Sequence, residues 1–221
     1  MTDHAAPSAR TRIRRIPANA HYDAAAVRAI VDDAYVCQVA FADDEGSVHC
    51  IPTACWRDGE HLVIHGSNGS RLMKLLAGGA PACVTITHVD GLVLARSAFN
   101  HSMNYRSVVV YGRFERVADA EKPALLDRFM DHIAPGRRDE ARGGDANELA
   151  ATTLLKLSLH EAAAKIRRGA PSDDEADLAL PVWAGVVPIA RVFGEPVADA
   201  GVACDVPAHV RALVERNATG S

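Results

Sequence analysis

Apolar residues along this chain change their spacing several times, and each change marks an element. Val27, Ile30, Val31 and Ala34 recur at the three-and-four interval of a helix face, behind Asp23, a residue type that caps helix starts. From Tyr35 the texture changes. YVCQVAFA (35–42), SVHCIPTACW (47–56) and HLVIH (61–65) read as short strands separated by the turn formers Asp43-Asp44-Glu45-Gly46 and Arg57-Asp58-Gly59-Glu60. They predict an antiparallel meander, with Pro52 at an edge or a bulge.

The stretch HGSNGSR (65–71) comes next, then a helix face of Leu72, Leu75 and Leu76 stopped by Gly78-Gly79. ACVTITH (82–88) and LVLARSA (92–98) read as strands joined by a turn at Val89-Asp90-Gly91. RSVVVYGRFERV (106–117) is expected to be a long strand with a bulge at Gly112. Asp119 is expected to cap a helix carrying Leu125, Leu126, Phe129, Met130 and Ile133. PGRRDEARGGD (135–145) reads as a polar loop, and LLKLSLHEAAAKI (154–166) as a last strand. The sum is a mainly β (α+β) chain: an antiparallel barrel of about six to seven strands with short helices outside it. One domain is expected over residues 16–210, between a disordered basic tail at 1–15 and a C-terminal tail at 211–221.

Composition narrows the function classes. Of 221 residues, 48% are hydrophobic, enough for one sizeable core. The formal charge of −4 argues against a nucleic-acid partner or an anionic membrane surface. No apolar run reaches the roughly 18 residues that span a bilayer, and none follows the basic start as a secretory signal would, so a cytoplasmic location is expected. The five cysteines form no CxxC pair, which reads as small hydrophobes in strands. His49, His61, His65, His88 and His101 lack the spacing of a helical zinc motif, so no metal site is expected.

HGSNGSR carries the candidate chemistry. Gly66 and Gly69 let the backbone approach an anion, Ser67 and Ser70 carry hydroxyl donors, and Arg71 offers a bidentate fork for phosphate oxygens. Lys74, three residues on, falls on the same helix face as Arg71. The stretch fits neither a Walker loop nor GxGxxG. From the residues alone, it is either a phosphate cradle or a capped helix start with solvated basic residues.

The order strand, HGSNGSR, helix, strand resembles a segment of the pyridoxamine 5′-phosphate oxidase family, FMN-binding split barrels that are usually homodimers. Gly69, Ser70 and Arg71 match the family's Gly-Ser-Arg, whose arginine holds the FMN phosphate; His65 stands at the family's tyrosine and Leu72 at its lysine, for which Lys74 is a substitute. RSVVVYGRFERV is similar to the family's Arg-Gln-Val strand, with Ser107 at the flavin-touching glutamine. KIRRGAPSDDEADLALPVWAGVVPI (165–189) resembles the flavin-nucleotide-binding subgroup that includes nitroimidazole-resistance proteins. The resemblance implies a split barrel, bound FMN, a homodimer and a small-molecule substrate. It also implies that Pro52, Thr53 and His65 lie along the flavin ring, that Tyr105 in NHSMNYRS (100–107) meets the partner's flavin, and that Trp183 closes over the ring or fills a core.

The chain also departs from the enzyme that gives the family its name. HCIPTACW stands where Arg-x-Val-Leu-Leu-Lys is expected, and AGVVPIARVFGEP offers no Arg-Leu-His-x-Arg clamp for a substrate phosphate. Fold and flavin carry over, whereas vitamin B6 oxidation does not. The implied activity is an FMN-dependent oxidoreductase with a nicotinamide or deazaflavin donor; its catalytic residues are unassigned, since a flavin carries the redox chemistry itself. Two alternatives stand beside it: a haem-binding or haem-degrading split barrel with His65 or His101 as axial ligand, and a non-catalytic flavin-binding module.

Overall fold

The computed structural model describes residues 5–215. The outermost parts of the two expected tails, residues 1–4 and 216–221, lie outside the described residues. Strands β1 (Ala20–His21), β2 (Val36–Ala42), β3 (Val48–Asp58), β4 (His61–Ser67), β5 (Pro81–Leu94), β6 (Ser102–Arg113), β7 (Glu115–Arg116), β8 (Thr152–Ser158), β9 (Ala162–Arg167) and β10 (Gly185–Pro188) pair antiparallel throughout. Their order is β1-β9-β6-β5-β2-β3-β4-β8-β7, with β10 paired to β5. Helices are short: α1 (Ala24–Asp32), α2 (Arg71–Ala77), α3 (Lys122–Ile133), α4 (Ala146–Ala151) and α5 (Ala208–Glu215). The architecture is an antiparallel split barrel whose sheet does not close.

Local chemistry explains why the first elements form where they do. Asp23 caps α1 by accepting the Ala26 N–H at 2.8 Å, which leaves Val27, Ile30 and Val31 to be buried. The β3–β4 hairpin turns at Gly59, whose φ of 55° suits a residue without Cβ. The β2–β3 loop is tied by Asp43, whose Oδ1 accepts the N–H groups of Ser47 at 2.8 Å and Glu45 at 3.1 Å. Strand β3 then serves two partners. Residues Val48 to Ala54 pair with β2, whereas Cys55 to Asp58 pair with β4. Among the described residues Pro52 therefore sits in a half-strand paired on one side, which tolerates its missing N–H.

The expected turn at Val89-Asp90-Gly91 is instead a β-bulge inside one continuous strand, β5. Arg106 holds it extended: Nε and Nη2 donate to the two Asp90 carboxylate oxygens at 2.9 Å each, and Nη2 also reaches Asp33 at 3.1 Å. Gly112, expected at a bulge, pairs in regular register with Ala82; it is small because Leu157 packs against it. LLKLSLHEAAAKI is two strands, β8 and β9, that turn around His160 and Glu161, with the Tyr111 N–H bonded to the Glu161 carbonyl. Asp119 opens a short 3₁₀ turn and pairs with Lys122 Nζ at 2.8 Å, while α3 begins at Lys122 beside Pro123. Residues 5–15, expected as part of a disordered tail, carry contacts here: Thr11 is buried and Ile13 N–H donates to the Tyr22 hydroxyl at 2.8 Å.

Contacts divide the chain into two compact units: one up to Val117 with Thr152–Ile189, the other Ala118–Ala151 with the chain from Ala190 on. The first holds the barrel and its core, built from Val39, Leu62, Ile64, Leu76, Val84, Val110, Leu155 and their neighbours. Cys37 and Cys55 are buried in that core, and the hydrogen bond with Cys55, with burial second, raises the Cys37 thiol far above its ordinary value. The second unit is helical, with Lys122 buried against the Leu149 carbonyl at 3.2 Å. No helix among the described residues is long and apolar enough to cross a membrane.

A methyl group at Gly112 would lie 2.8 Å from Leu157 Cδ1, and Leu157 is itself in the core. Gly112→Ala should therefore cost about 1–3 kcal/mol of unfolding free energy in urea titration. Gly143→Ala, with nothing within 4 Å of the new methyl, should stay within about 0.5 kcal/mol.

Candidate functional site

The division of β3 between two partners opens the barrel. Past Ala54 toward its start, β3 follows β2, while His65, Gly66 and Ser67 of β4 follow β8, pairing with Leu154, Thr153 and Thr152. Pro52 and Thr53 thus stand on one lip of a gap and His65, Gly66 and Ser67 on the other. At the closed end of the gap the Trp56 and His65 rings lie 5.7 Å apart, tilted by 56°. Burial lowers the His65 pKa below its ordinary value, so the imidazole is neutral at pH 7.

Beyond Ser67 the chain turns tightly into α2. The Ser70 N–H bonds the Ser67 carbonyl at 2.9 Å, Ser67 Oγ accepts the Gly69 N–H at 3.2 Å, and Ser70 Oγ caps the Met73 N–H at 3.5 Å. Each hydroxyl accepts in these bonds and keeps its own proton to donate. Gly66 is small because a Cβ there would meet Met73 Cγ at 2.8 Å.

Arg71 and Lys74 do not act as a pair. Arg71 reaches back to the β2–β3 hairpin, where Nη2 donates to Asp43 Oδ2 at 2.5 Å; its side chain is 66% exposed and that of Asp43 only 8%. The same Asp43 oxygen lies 2.9 Å from His49 Nε2, and the His49 ring stacks on Phe41 at 5.2 Å. The His49 hydrogen bond, foremost, and the loop N–H groups lower the Asp43 pKa against the cost of desolvation, keeping the carboxylate charged. Lys74 instead lines a polar cleft with Asn68, Thr153 and Arg116. Asp43, His49 and Arg116 are site residues that sequence reasoning passed over; only their placement in the fold brings them to α2.

The remaining candidates sit elsewhere in the sheet. Tyr105 and Ser107 lie on β6, separated from β3 by β5 and β2. Ser107 Oγ donates to the Lys165 carbonyl at 3.4 Å, and Tyr105 pairs with Val89 and Arg167. Trp183 fills no core: it is 65% exposed, with its ring over Gly185. His101 is exposed, and its Nδ1 donates to the Ser97 carbonyl at 2.9 Å, which leaves Nε2 with the lone pair. Among the described residues no three His, Cys, Asp or Glu side chains gather to hold a metal ion.

Comparison with known proteins places these features. No protein of curated function matches the sequence. Among solved structures, the flavocytochrome Anf3 from Azotobacter vinelandii is 38% identical, with a TM-score of 0.88 over 94% of this chain and 98% of that one. The FAD and heme binding protein from Mycobacterium smegmatis is also 38% identical, with a TM-score of 0.85 over 89% of this chain and 97% of that one. A protein from Bacteroides thetaiotaomicron named for 5-nitroimidazole antibiotic resistance shares the fold at 20% identity, with a TM-score of 0.56 over 66% of this chain and 86% of that one. The family profile described as pyridoxamine 5′-phosphate oxidase matches residues 23–166, the stretch that runs from the cap of α1 through the split and α2 into β9. With its split barrel, its Gly-Ser-Arg turn and these matches, the chain belongs to the pyridoxamine 5′-phosphate oxidase family.

Proposed function

We propose that this protein is a flavin-dependent oxidoreductase that works as a homodimer on a small oxidised or aromatic compound. The observation that carries this reading is the exposed Arg71 fork beside the Ser67–Ser70 turn, at the mouth of the gap between β3 and β4. The donors fit a phosphate: a guanidinium already oriented by Asp43 through one nitrogen, with further N–H groups remaining, and two serine hydroxyls. FMN is the smallest flavin that supplies both a ring for the gap and a phosphate for Arg71. The Anf3 and M. smegmatis relatives, named as a flavocytochrome and an FAD and heme binder, support a flavin here.

A bound flavin supplies two-electron redox chemistry. The chain's part is to hold and orient it. Arg71, Ser67 and Ser70 grip the phosphate end; Pro52 and Thr53 on one lip and His65 on the other flank the ring. A neutral His65 offers the flavin a hydrogen bond without adding charge. Tyr105, Ser107 and Trp183 serve the flavin of the second subunit. Dimerisation draws support from an apolar row across β6, β5 and β10: Met103, Leu92 and Val187 are direct register partners and remain 52%, 42% and 43% exposed.

Haem is the second reading, and His101 favours it. Its Nδ1–H is taken by a backbone carbonyl, the arrangement that presents Nε2 to a metal, whereas His65 is half-buried against Trp56.

The visible spectrum of freshly purified protein tests both readings. Flavin bands near ~370 and ~450 nm are expected for the first, and a Soret band for the second, each set by the cofactor's own electronics. A colourless protein that refuses added FMN and haem would remove both. If Arg71 holds the phosphate, Arg71→Ala should weaken FMN binding by about 1.5–3 kcal/mol, on the order of 10- to 150-fold. Riboflavin affinity should be nearly unchanged in the same fluorescence titration; equal losses for the two would make Arg71 a fold residue. Light scattering on the flavin-loaded protein should return a dimer, and a flavin-loaded monomer would defeat the shared site.

A further inference from the structure

The exposed guanidinium of Arg71 sits beside a carboxylate, and a carboxylate is an unhelpful neighbour for an anion. Asp43 is nearly enclosed, and its Oδ1 is held in place by the N–H groups of Ser47 and Glu45. Its Oδ2 accepts from Arg71 Nη2 at 2.5 Å and from His49 Nε2 at 2.9 Å. Those two nitrogens lie 3.4 Å apart, both turned to the same oxygen. A charged carboxylate can only accept, so in neutral His49 the hydrogen is on Nε2 and the lone pair on Nδ1. Among the described residues Nδ1 has no hydrogen-bond partner, and the side chain is 29% exposed. While His49 is neutral, the single charges of Arg71 and Asp43 cancel, and an incoming phosphate meets no net charge. A proton at Nδ1 makes the group cationic.

Few other groups bear on the ring. It stacks on Phe41 of β2, and its neighbour on the same face of β3 is Ile51, neither of them charged. From α2 it faces Arg71, and from its own hairpin Asp43. Asp44 and Glu45 of that hairpin make no ion pair with it among the described residues, and Lys74 lines the cleft on the other flank of α2. Arg71 opposes a proton on His49 and Asp43 favours one, so an anion that draws on Arg71 tips the ring toward its charged form. We propose that His49 is the second cation of the anion site: Nδ1 takes a proton from solvent as a phosphate settles on Arg71, while the Nε2–H stays on Asp43. That the phosphate belongs to a flavin rests on the reading above; the link between proton and anion stands on Asp43, His49 and Arg71 alone. By linkage, anion affinity is greatest where His49 is charged, and the gain is lost as pH rises. Asp43 stays charged throughout, because the His49 hydrogen bond, foremost, and the loop N–H groups hold its carboxyl below the ordinary range.

The test is fluorescence titration of wild type, His49→Gln and His49→Lys with FMN and riboflavin, at about pH 5.5 and about pH 8, which bracket the charge change of a histidine. Glutamine keeps a donor for Asp43 without a charge, and lysine is charged at both values. A phosphate monoester itself takes up a proton near about pH 6. The readout is therefore the ratio of affinities between two proteins at one pH, in which the ligand's own titration cancels. Wild type should bind FMN about tenfold tighter than His49→Gln at the lower pH, the scale of one added charge, and about equally at the higher. His49→Lys should keep that advantage at both, which a variant that merely fails to fold cannot do. Riboflavin should show no such differences. A ratio of wild type to His49→Gln that is the same at both pH values, or shared by riboflavin, would overturn the proposal. Should the protein take no flavin, thermal protection by sulfate, doubly charged at both pH values, decides. Greater protection of wild type than of His49→Gln at the lower pH alone keeps the proton-linked anion site and removes its flavin; equal protection overturns the site as well.

Discussion

One strand with two partners governs this barrel. A strand has two hydrogen-bonding edges along its whole length, yet β3 uses one edge for β2 over its first half and turns to β4 only from Cys55. The change of partner separates β2 from β4 and gives the sheet its opening. It is held by burial, since Cys55 and Trp56, the residues at the change, are almost wholly enclosed. Pro52, Thr53, His65, Ser67 and Arg71, the residues proposed to hold one flavin, lie on the lips of that opening or on the turn and helix that follow directly from β4.

Charge is then distributed around α2 by the elements it touches. The β2–β3 hairpin contributes a carboxylate, Asp43, whose oxygens serve its own turn, His49 and Arg71 together. On the other flank a cleft beside Lys74 is lined by Arg116 of β7, while the neighbouring Glu115 pairs opposite Lys156 of β8. Among the described residues one short helix thus has an ion-paired arginine, Arg71, on one flank and, on the other, Lys74 and Arg116 without an ion-pair partner.

Much of this architecture was legible along the chain, and the parts that were not have physical reasons. The meander, the Asp23 and Ser70 caps and the turn at Gly59 follow from short-range rules, because the residues that decide them are neighbours. Asp90-Gly91 carries a turn signal, but Arg106 on the next strand clamps Asp90 and keeps the chain extended. The turn between β8 and β9 lacks glycine and proline and so left no mark in LLKLSLHEAAAKI. Arg71 was recognisable as a candidate. Its partner was not, since 28 residues separate it from Asp43 and nothing local joins them. Arg116 reads as an ordinary basic residue until β7 is seen beside α2.

Pro52 has a consequence for the life of the chain before any cofactor arrives. An opening made by parting two strands exposes backbone amides and carbonyls along both lips, and such a rim invites a strand from another molecule to add on. A proline in the middle of the exposed half of β3 breaks the ladder that an invading strand would need. The rim can stay open to a small flat molecule and still be a poor template for aggregation.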